Sequence, residues 1–212
     1  HSASALAPDN VDLIVAHASA LRRAGRVEEA EKRLREALEL APRHVGAWHT
    51  LGLLLYAGGQ LEEAQRCARR VTEVDARNAA GWELLAAVLQ KRDQVAEAIA
   101  TCREGLTQVP RAPRLHYSLA QLLRQECEFE AAAAAYADAQ RAGFDTPELY
   151  RNRGEALLDA GDTAAALACA QRGVKRFPGH APLQRTAARL HHVAGAEGDP
   201  LDLLRTRSEE HT

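Results

Sequence analysis

The sequence predicts an all-α fold built from repeated pairs of helices, and three observations support this fold class. Aromatic residues make up only 4% of the chain, whereas alanine and leucine are abundant, and both enter a helix at little conformational cost. A residue pattern recurs every 34 positions, for example from Trp48 to Trp82. Within each repeat the apolar residues are spaced three and four apart, which places them on one face of a helix.

The repeats can be placed on the chain from this period. Five repeats begin at Val11, Val45, Ala79, Pro113 and Pro147, and a partial sixth begins at Ala181. We therefore predict one array over residues 11–198, preceded by a short flank over residues 1–10. Because a single pair of helices cannot bury its apolar face alone, neighbouring repeats are expected to stack.

Two small positions predict how the helices of a repeat meet. Position 8 is occupied by Ala18, Gly52, Ala86, Ala120 and Gly154. Position 20 is always alanine, at Ala30, Ala64, Ala98, Ala132 and Ala166. We expect these positions to lie where the two helices cross, since larger side chains would push the axes beyond their usual separation of about 8–10 Å.

A break at position 15 separates the two helices of each repeat. It is occupied by Gly25, Gly59, Asp93, Cys127 and Gly161. Glycine is the usual residue of a tight turn, so each repeat is expected to be helix, turn, helix. Cys127 departs from this pattern, and the turn of the fourth repeat is the least well specified.

The pattern W-x-x-L-G-x-x-L over 48–55, followed by Ala64 and a closing proline in most repeats, resembles the tetratricopeptide repeat. The resemblance extends from Val11 to about Gly195. It implies a right-handed α-solenoid whose first helices line a concave groove. His17 and Arg153 depart from the leucine expected at position 7, and the string "NRG" over 152–154 resembles a repeat variant in which the arginine stem lies along the edge of the core.

The resemblance also implies which side chains face the groove, namely positions 2, 5, 6, 9, 12 and 13 of each first helix. Among them, tyrosines, arginines and amides are the types that dominate binding energy at protein interfaces. The candidate partner-binding residues are His49, Tyr56, Lys91, Arg114, Tyr117, Gln121, Arg124, Arg151 and Asn152. We therefore predict a non-catalytic scaffold that binds a protein or peptide segment in the concave groove.

Other classes of function are not supported by the sequence. No nucleophile, phosphate-binding or zinc-protease motif is present, so no catalytic residue and no cofactor is predicted. The net charge is −2, which argues against nucleic acid as a partner, and no apolar run is long enough for a membrane span. His191 and His192 point about 100° apart on a helix and cannot share a metal ion. The four cysteines are widely spaced and are predicted to be buried small apolar residues.

The end of the chain leaves alternatives open. Asp199 and Pro200 favour a helix start, so residues 199–206 are interpreted as the beginning of a truncated final helix. Residues 207–212, "RSEEHT", resemble a translated sequencing adapter and are interpreted as an artefactual tail. Because the array stops short, Leu201, Leu203 and Leu204 could support self-association through an uncapped end.

A second alternative follows from the resemblance. Bacterial proteins with similar arrays carry a sulfotransferase, glycosyltransferase or oxygenase domain, so the chain could be the substrate-positioning arm of a larger enzyme whose catalytic domain is missing. We expect a cytoplasmic location, although the chain contains no methionine and a signal peptide could have preceded His1.

Overall fold

The computed structural model describes residues 8–195, and this part of the chain is helical with no strand. Its helices are α1 Pro8–Arg23, α2 Val27–Leu40, α3 Val45–Ala57, α4 Leu61–Val74, α5 Ala79–Lys91, α6 Val95–Gln108, α7 Pro113–Gln125, α8 Phe129–Arg141, α9 Pro147–Asp159, α10 Thr163–Arg176 and α11 Ala181–Val193. The predicted all-α class is therefore confirmed. Within the described range, no helix is both long and apolar enough to cross a bilayer.

The chain divides into two compact units between Pro110 and Arg111. In the N-terminal unit, α1–α2, α3–α4 and α5–α6 pack as pairs, and α1, α3 and α5 also contact one another in sequence order. In the C-terminal unit, α7–α8 and α9–α10 form pairs, and α11 packs on both α9 and α10. Each unit is thus built from stacked helix-turn-helix repeats.

The helix starts repeat with the period of the sequence. The first helices α3, α5, α7, α9 and α11 begin at Val45, Ala79, Pro113, Pro147 and Ala181. The exception is α1, which begins at Pro8, three residues before the expected start at Val11. Proline suits the first turn of a helix because its missing N–H would have no partner there. The predicted helix start at 199–206, the tail at 207–212, and Leu201, Leu203 and Leu204 lie outside the described residues.

The five turns that join the two helices of a repeat adopt the same backbone conformation at position 15. The φ angles there are +77° at Gly25, +79° at Gly59, +61° at Asp93, +60° at Cys127 and +86° at Gly161. In each turn the second residue after the first helix is therefore left-handed, a conformation that favours glycine. The fourth repeat makes this turn although Cys127 carries a side chain, so the local glycine is helpful but not required.

Four first helices, α3, α5, α9 and α11, are capped at their N-termini by polar side chains, whereas α7 follows Ala112 and has no side-chain cap. Asn78 Oδ1 accepts a hydrogen bond from the Gly81 N–H at 3.1 Å. His44 and His180 cap in an unusual way, because Nδ1 of each ring accepts the backbone N–H three residues later. The Nε2 atom of His44 then donates to Asp12 Oδ1 at 2.9 Å. These caps satisfy N–H groups that a helix leaves without intrahelical partners.

The core forms where the small positions of each repeat meet. The alanines at position 20 are all 0% exposed. A Cβ atom built on Gly52 would lie 3.7 Å from the Ala64 carbonyl oxygen, and one built on Gly154 would lie 3.5 Å from the Ala166 oxygen. Position 8 therefore faces position 20 at the crossing of the two helices, as the sequence predicts.

The cysteines divide into two groups. Cys67, Cys102 and Cys169 are buried, as predicted. Burial raises the pKa of Cys67 to about 11 and that of Cys102 to about 12, so both thiols are protonated and unreactive at neutral pH. The prediction was wrong for Cys127, which is exposed because it occupies a turn rather than a helix face.

Two glycines of the C-terminal unit allow a matched test of close packing. A Cβ atom on Gly173 would lie 2.6 Å from Tyr150 Cβ and 2.7 Å from Tyr150 Cγ. A Cβ atom on Gly154 would meet its nearest neighbour, Leu190 Cδ1, at an ordinary 3.4 Å. We expect Gly173→Ala to lower the free energy of unfolding by about 1–3 kcal/mol through overpacking. Gly154→Ala should leave it unchanged or raise it by up to about 1 kcal/mol, because alanine favours a helix.

Urea unfolding of the two variants measures this difference directly. If both substitutions change stability by the same amount, the close approach of α10 to Tyr150 does not limit the packing of this repeat.

Candidate functional site

The nine candidate residues fall into two groups, one on each compact unit. His49, Tyr56 and Lys91 lie on α3 and α5 of the N-terminal unit. The other six lie on α7 and α9 of the C-terminal unit, and we call the surface that they form the α7–α9 face: Arg114, Tyr117, Gln121, Arg124, Arg151 and Asn152.

A hydrogen-bonded pair lies at the centre of the α7–α9 face. Asn152 Nδ2 donates to the Tyr117 hydroxyl at 2.8 Å. Arg151 donates from Nε and Nη2 to Asn152 Oδ1, at 3.4 and 3.3 Å. The structure therefore joins three of the predicted residues in one network across two repeats. Asn152 itself is 8% exposed, so it holds its neighbours in place more than it offers surface of its own.

Tyr117 is held by aromatic neighbours that the sequence analysis missed. Its ring lies 5.5 Å from the Tyr136 ring in an edge-on arrangement and 4.5 Å from the Phe144 ring. Tyr136 lies on the second helix α8 and is 1% exposed, whereas the groove rule considers only first helices. Phe144 follows Gly143 in the place of a closing proline, which is the one signal in the sequence that could have indicated it.

Burial raises the pKa of the Tyr117 hydroxyl, although the hydrogen bond from Asn152 acts in the opposite direction. Burial also raises the pKa of Tyr136 well above its ordinary value. Both hydroxyls are therefore protonated at neutral pH. Since the Tyr117 oxygen accepts from Asn152, its own O–H remains able to donate to a ligand.

Arg124 is occupied by partners from its own unit. Its Nη1 atom lies 3.1 Å from Glu155 Oε2, and its guanidinium also reaches the hydroxyl of Tyr136. Arg189 on α11 lies 3.8 Å from the other oxygen of Glu155. Arg124, one of the predicted partner-binding residues, is thus part of an ion-pair network that links side chains of α7, α9 and α11.

Arg114 and Gln121 are the two exposed members of the face. Among the described residues, neither has a hydrogen bond or ion pair. They flank Tyr117 on α7, three residues before it and four residues after it, and therefore lie on the same side of the helix. The α7–α9 face thus combines a fixed aromatic and amide centre with unpaired polar side chains at its edge.

The candidate residues of the N-terminal unit contact one another less extensively. The Lys91 ammonium lies 4.7 Å from the centroid of the Tyr56 ring, and it donates to the Tyr56 carbonyl oxygen at 3.3 Å. Such a cation–π contact contributes about 0.5–1 kcal/mol at an exposed site. His49 is half-buried on α3, and burial lowers its pKa.

The described side chains that could bind a metal ion do not lie together. Within residues 8–195 there is no group of three or more His, Cys, Asp or Glu side chains that could hold a metal ion.

Comparisons with known proteins agree with this architecture. Models of the tetratricopeptide repeat match residues 21–88 and 147–190. The chain is an α-helical repeat protein of the solenoid class. It belongs to the tetratricopeptide repeat family. The search of curated proteins finds no match.

Three solved structures illustrate the likeness of fold. A tetratricopeptide repeat protein from Parabacteroides merdae is 14% identical with a TM-score of 0.71, over 93% of this chain and 78% of that one. A thermophilic member from Thermus thermophilus is 19% identical with a TM-score of 0.62, over 85% and 98%. YrrB, described as a TPR protein with an unusual peptide-binding site, is 17% identical with a TM-score of 0.63, over 81% and 89%.

Membership of this family gives the general role of the chain. Tetratricopeptide repeats bind protein or peptide partners, and they are typically non-catalytic. The chain is therefore a protein-interaction scaffold.

The half-buried His49 should make stability depend on pH. Because burial lowers its pKa below the ordinary 6.5, the unfolded chain binds a proton at a higher pH than the folded chain does. The stability that results from keeping His49 neutral is fully present above pH 6.5. It is lost as the pH falls from 6.5 through the lower pKa of the folded state. We expect His49→Gln to flatten this part of the profile, measured as the free energy of unfolding in urea between pH 8 and 5. If the free energy of unfolding depends on pH in the same way in the variant, His49 does not contribute to this pH dependence.

Proposed function

We propose that the α7–α9 face binds an extended or helical segment of a partner protein. The observation that carries the proposal is the Tyr117–Asn152 pair, which fixes a tyrosine hydroxyl with an available O–H beside exposed Arg114 and Gln121. A partner backbone can accept from the hydroxyl, and the amide of Gln121 can both donate and accept. YrrB, a protein of similar fold, is described as having a peptide-binding site, which supports the assignment of this kind of ligand.

Pre-organisation favours binding at this face. Tyr117 packs between Tyr136 and Phe144 and accepts a hydrogen bond from Asn152, so little rotamer freedom is left for a ligand to remove. Each immobilised side chain would otherwise cost about 0.5–1.5 kcal/mol on binding. We expect a dissociation constant in the micromolar range, equivalent to about −8 kcal/mol.

Residues that hold the repeat together must be separated from residues that only contact the ligand. Arg124 pairs with Glu155, and Tyr117 packs on buried Tyr136, so substitutions at Arg124 and Tyr117 change stability as well as binding. Arg114 and Gln121 have no partner in the described part of the chain, and substitutions there report on binding alone. His49, Tyr56 and Lys91 form a second candidate contact surface, on the N-terminal unit.

The face can be tested with a partner captured by the chain and mapped to its binding segment. We expect Arg114→Ala to weaken binding of that segment about tenfold, which corresponds to about 1.4 kcal/mol. The exposed Arg103 on α6 provides a matched control, and Arg103→Ala should bind as the unchanged chain does. Isothermal titration calorimetry with the mapped peptide measures both, and urea unfolding checks that stability is unaltered.

If Arg114→Ala and Gln121→Ala both bind the segment as tightly as the unchanged chain does, the segment does not bind at the α7–α9 face. In that case the same titration is repeated with Lys91→Ala. Weaker binding would assign the segment to the second surface, and unchanged binding would exclude Lys91 as well.

A further inference from the structure

A depression on the C-terminal unit lies between α8 and α9 and uses none of the residues of the α7–α9 face. Its volume is about 610 Å³, and it is lined by Ala134, Ala137, Asp138, Gln140, Arg141 and Arg153. We call it the α8–α9 depression. Five of these residues lie on α8, and Arg153 reaches it from α9.

Arg153 is the unusual residue of this site. It occupies position 7, where Leu51, Leu85 and Leu119 of other repeats are buried, and it is itself half-buried. Its Nη1 atom donates to Gln140 Oε1 at 3.0 Å, and Gln140 in turn donates from Nε2 to the Tyr150 hydroxyl at 2.7 Å. The Arg153 Nε atom is buried and has no hydrogen-bond acceptor. A partly buried cation with an unused donor is unfavourable unless a further partner satisfies it.

No carboxylate of the described residues pairs with Arg153. Asp138 lines the same depression, but it is already paired with Arg141. A second cation, Arg172 on α10, acts together with Arg153 on the buried Cys169 thiol, where both oppose the rise in its pKa that burial causes. Among the residues that line the depression, Asp138 and Arg141 neutralise each other, and Arg153 adds one positive charge.

Ala134 and Ala137 line the α8–α9 depression, whereas a depression of similar size on α2, about 620 Å³, is lined by charged side chains. At the same two repeat positions, the first repeat has Lys32 and Arg35, and Arg35 extends to Glu63 of the next repeat at 2.8 Å. In α8 these positions are the uncharged Ala134 and Ala137, so neither supplies a competing charge beside Arg153. The structure thus places a guanidinium that has no carboxylate partner among the described residues in the wall of an open depression.

We propose that the α8–α9 depression binds a carboxylate side chain, aspartate or glutamate, of a partner protein, with Arg153 as its ion-pair partner. A guanidinium is the side chain best suited to receive a carboxylate through two parallel N–H bonds. A small rotation of Arg153 would present Nε together with a neighbouring nitrogen to the incoming oxygens. This acidic contact is separate from the α7–α9 face, so it stands whether or not that face binds a segment.

NMR of the arginine Nε–Hε group tests the proposal on the intact chain. The Arg153 resonance is assigned by its disappearance in Arg153→Leu, which restores the residue found at this position in other repeats. The probe is glutamate capped at both ends, with capped glutamine as the neutral control at matched ionic strength. We expect the capped glutamate to shift the Arg153 resonance with saturation in the millimolar range, and capped glutamine to shift it at least tenfold less.

Two variants separate charge from shape. Ala137→Leu fills the depression without changing its charge and should abolish the saturable shift. Arg103→Gln on α6 removes a cation elsewhere and should leave the shift unchanged. Three outcomes would overturn the carboxylate assignment. They are equal shifts with both probes, no shift with capped glutamate, and a larger saturable shift with phosphoserine than with capped glutamate.

The stability of Arg153→Leu gives a second, independent readout. If Arg153 is retained for binding, the urea midpoint of Arg153→Leu should equal or exceed that of the unchanged chain, because an unpaired partly buried cation is replaced by a core residue. A clear fall in the midpoint would assign Arg153 to holding α8 and α9 together, and the proposal would fail.

Discussion

The close approach of two helices at one small-residue contact determines the rest of this structure. The alanines at position 20 are 0% exposed, and in the second and fifth repeats position 8 lies directly against them. The helices of a repeat therefore sit at a fixed distance and register. Within each unit, this fixed register gives equivalent positions of the first helices equivalent orientations, which is why candidate binding residues can be predicted by position.

Turn chemistry is secondary to this packing. Asp93 and Cys127 adopt left-handed φ angles of +61° and +60°, at a cost of about 1–3 kcal/mol for residues other than glycine. The turns form nevertheless, since the helices on either side, α5 with α6 and α7 with α8, pack against each other. A backbone strain of this size persists only where the surrounding contacts determine the conformation.

The sequence predicts the helices better than it predicts the site, for a physical reason. Helix pairs are encoded in spacings of three and four residues, which local geometry turns directly into faces. Which side chains pair between repeats depends on the distances between helices in the folded chain, and the local spacing of residues does not determine those distances. Arg124 and Glu155 are 31 residues apart, yet their side chains lie 3.1 Å from each other. The same is true of Tyr136, which supports Tyr117 from a second helix that the groove rule leaves out.

This difference changes which residues should be regarded as functional. Arg124, a predicted partner-binding residue, forms an ion pair with Glu155 and so links a side chain of α7 to one of α9. Arg153, which reads as a departure from the repeat pattern, has an unsatisfied Nε atom and no carboxylate partner in the described part of the chain. Replacing a buried leucine with arginine gives up about 1.5–3 kcal/mol of apolar burial. The hydrogen bond from Arg153 to Gln140 offsets only part of this cost and leaves Nε without an acceptor, so a partner's contribution is to be expected here.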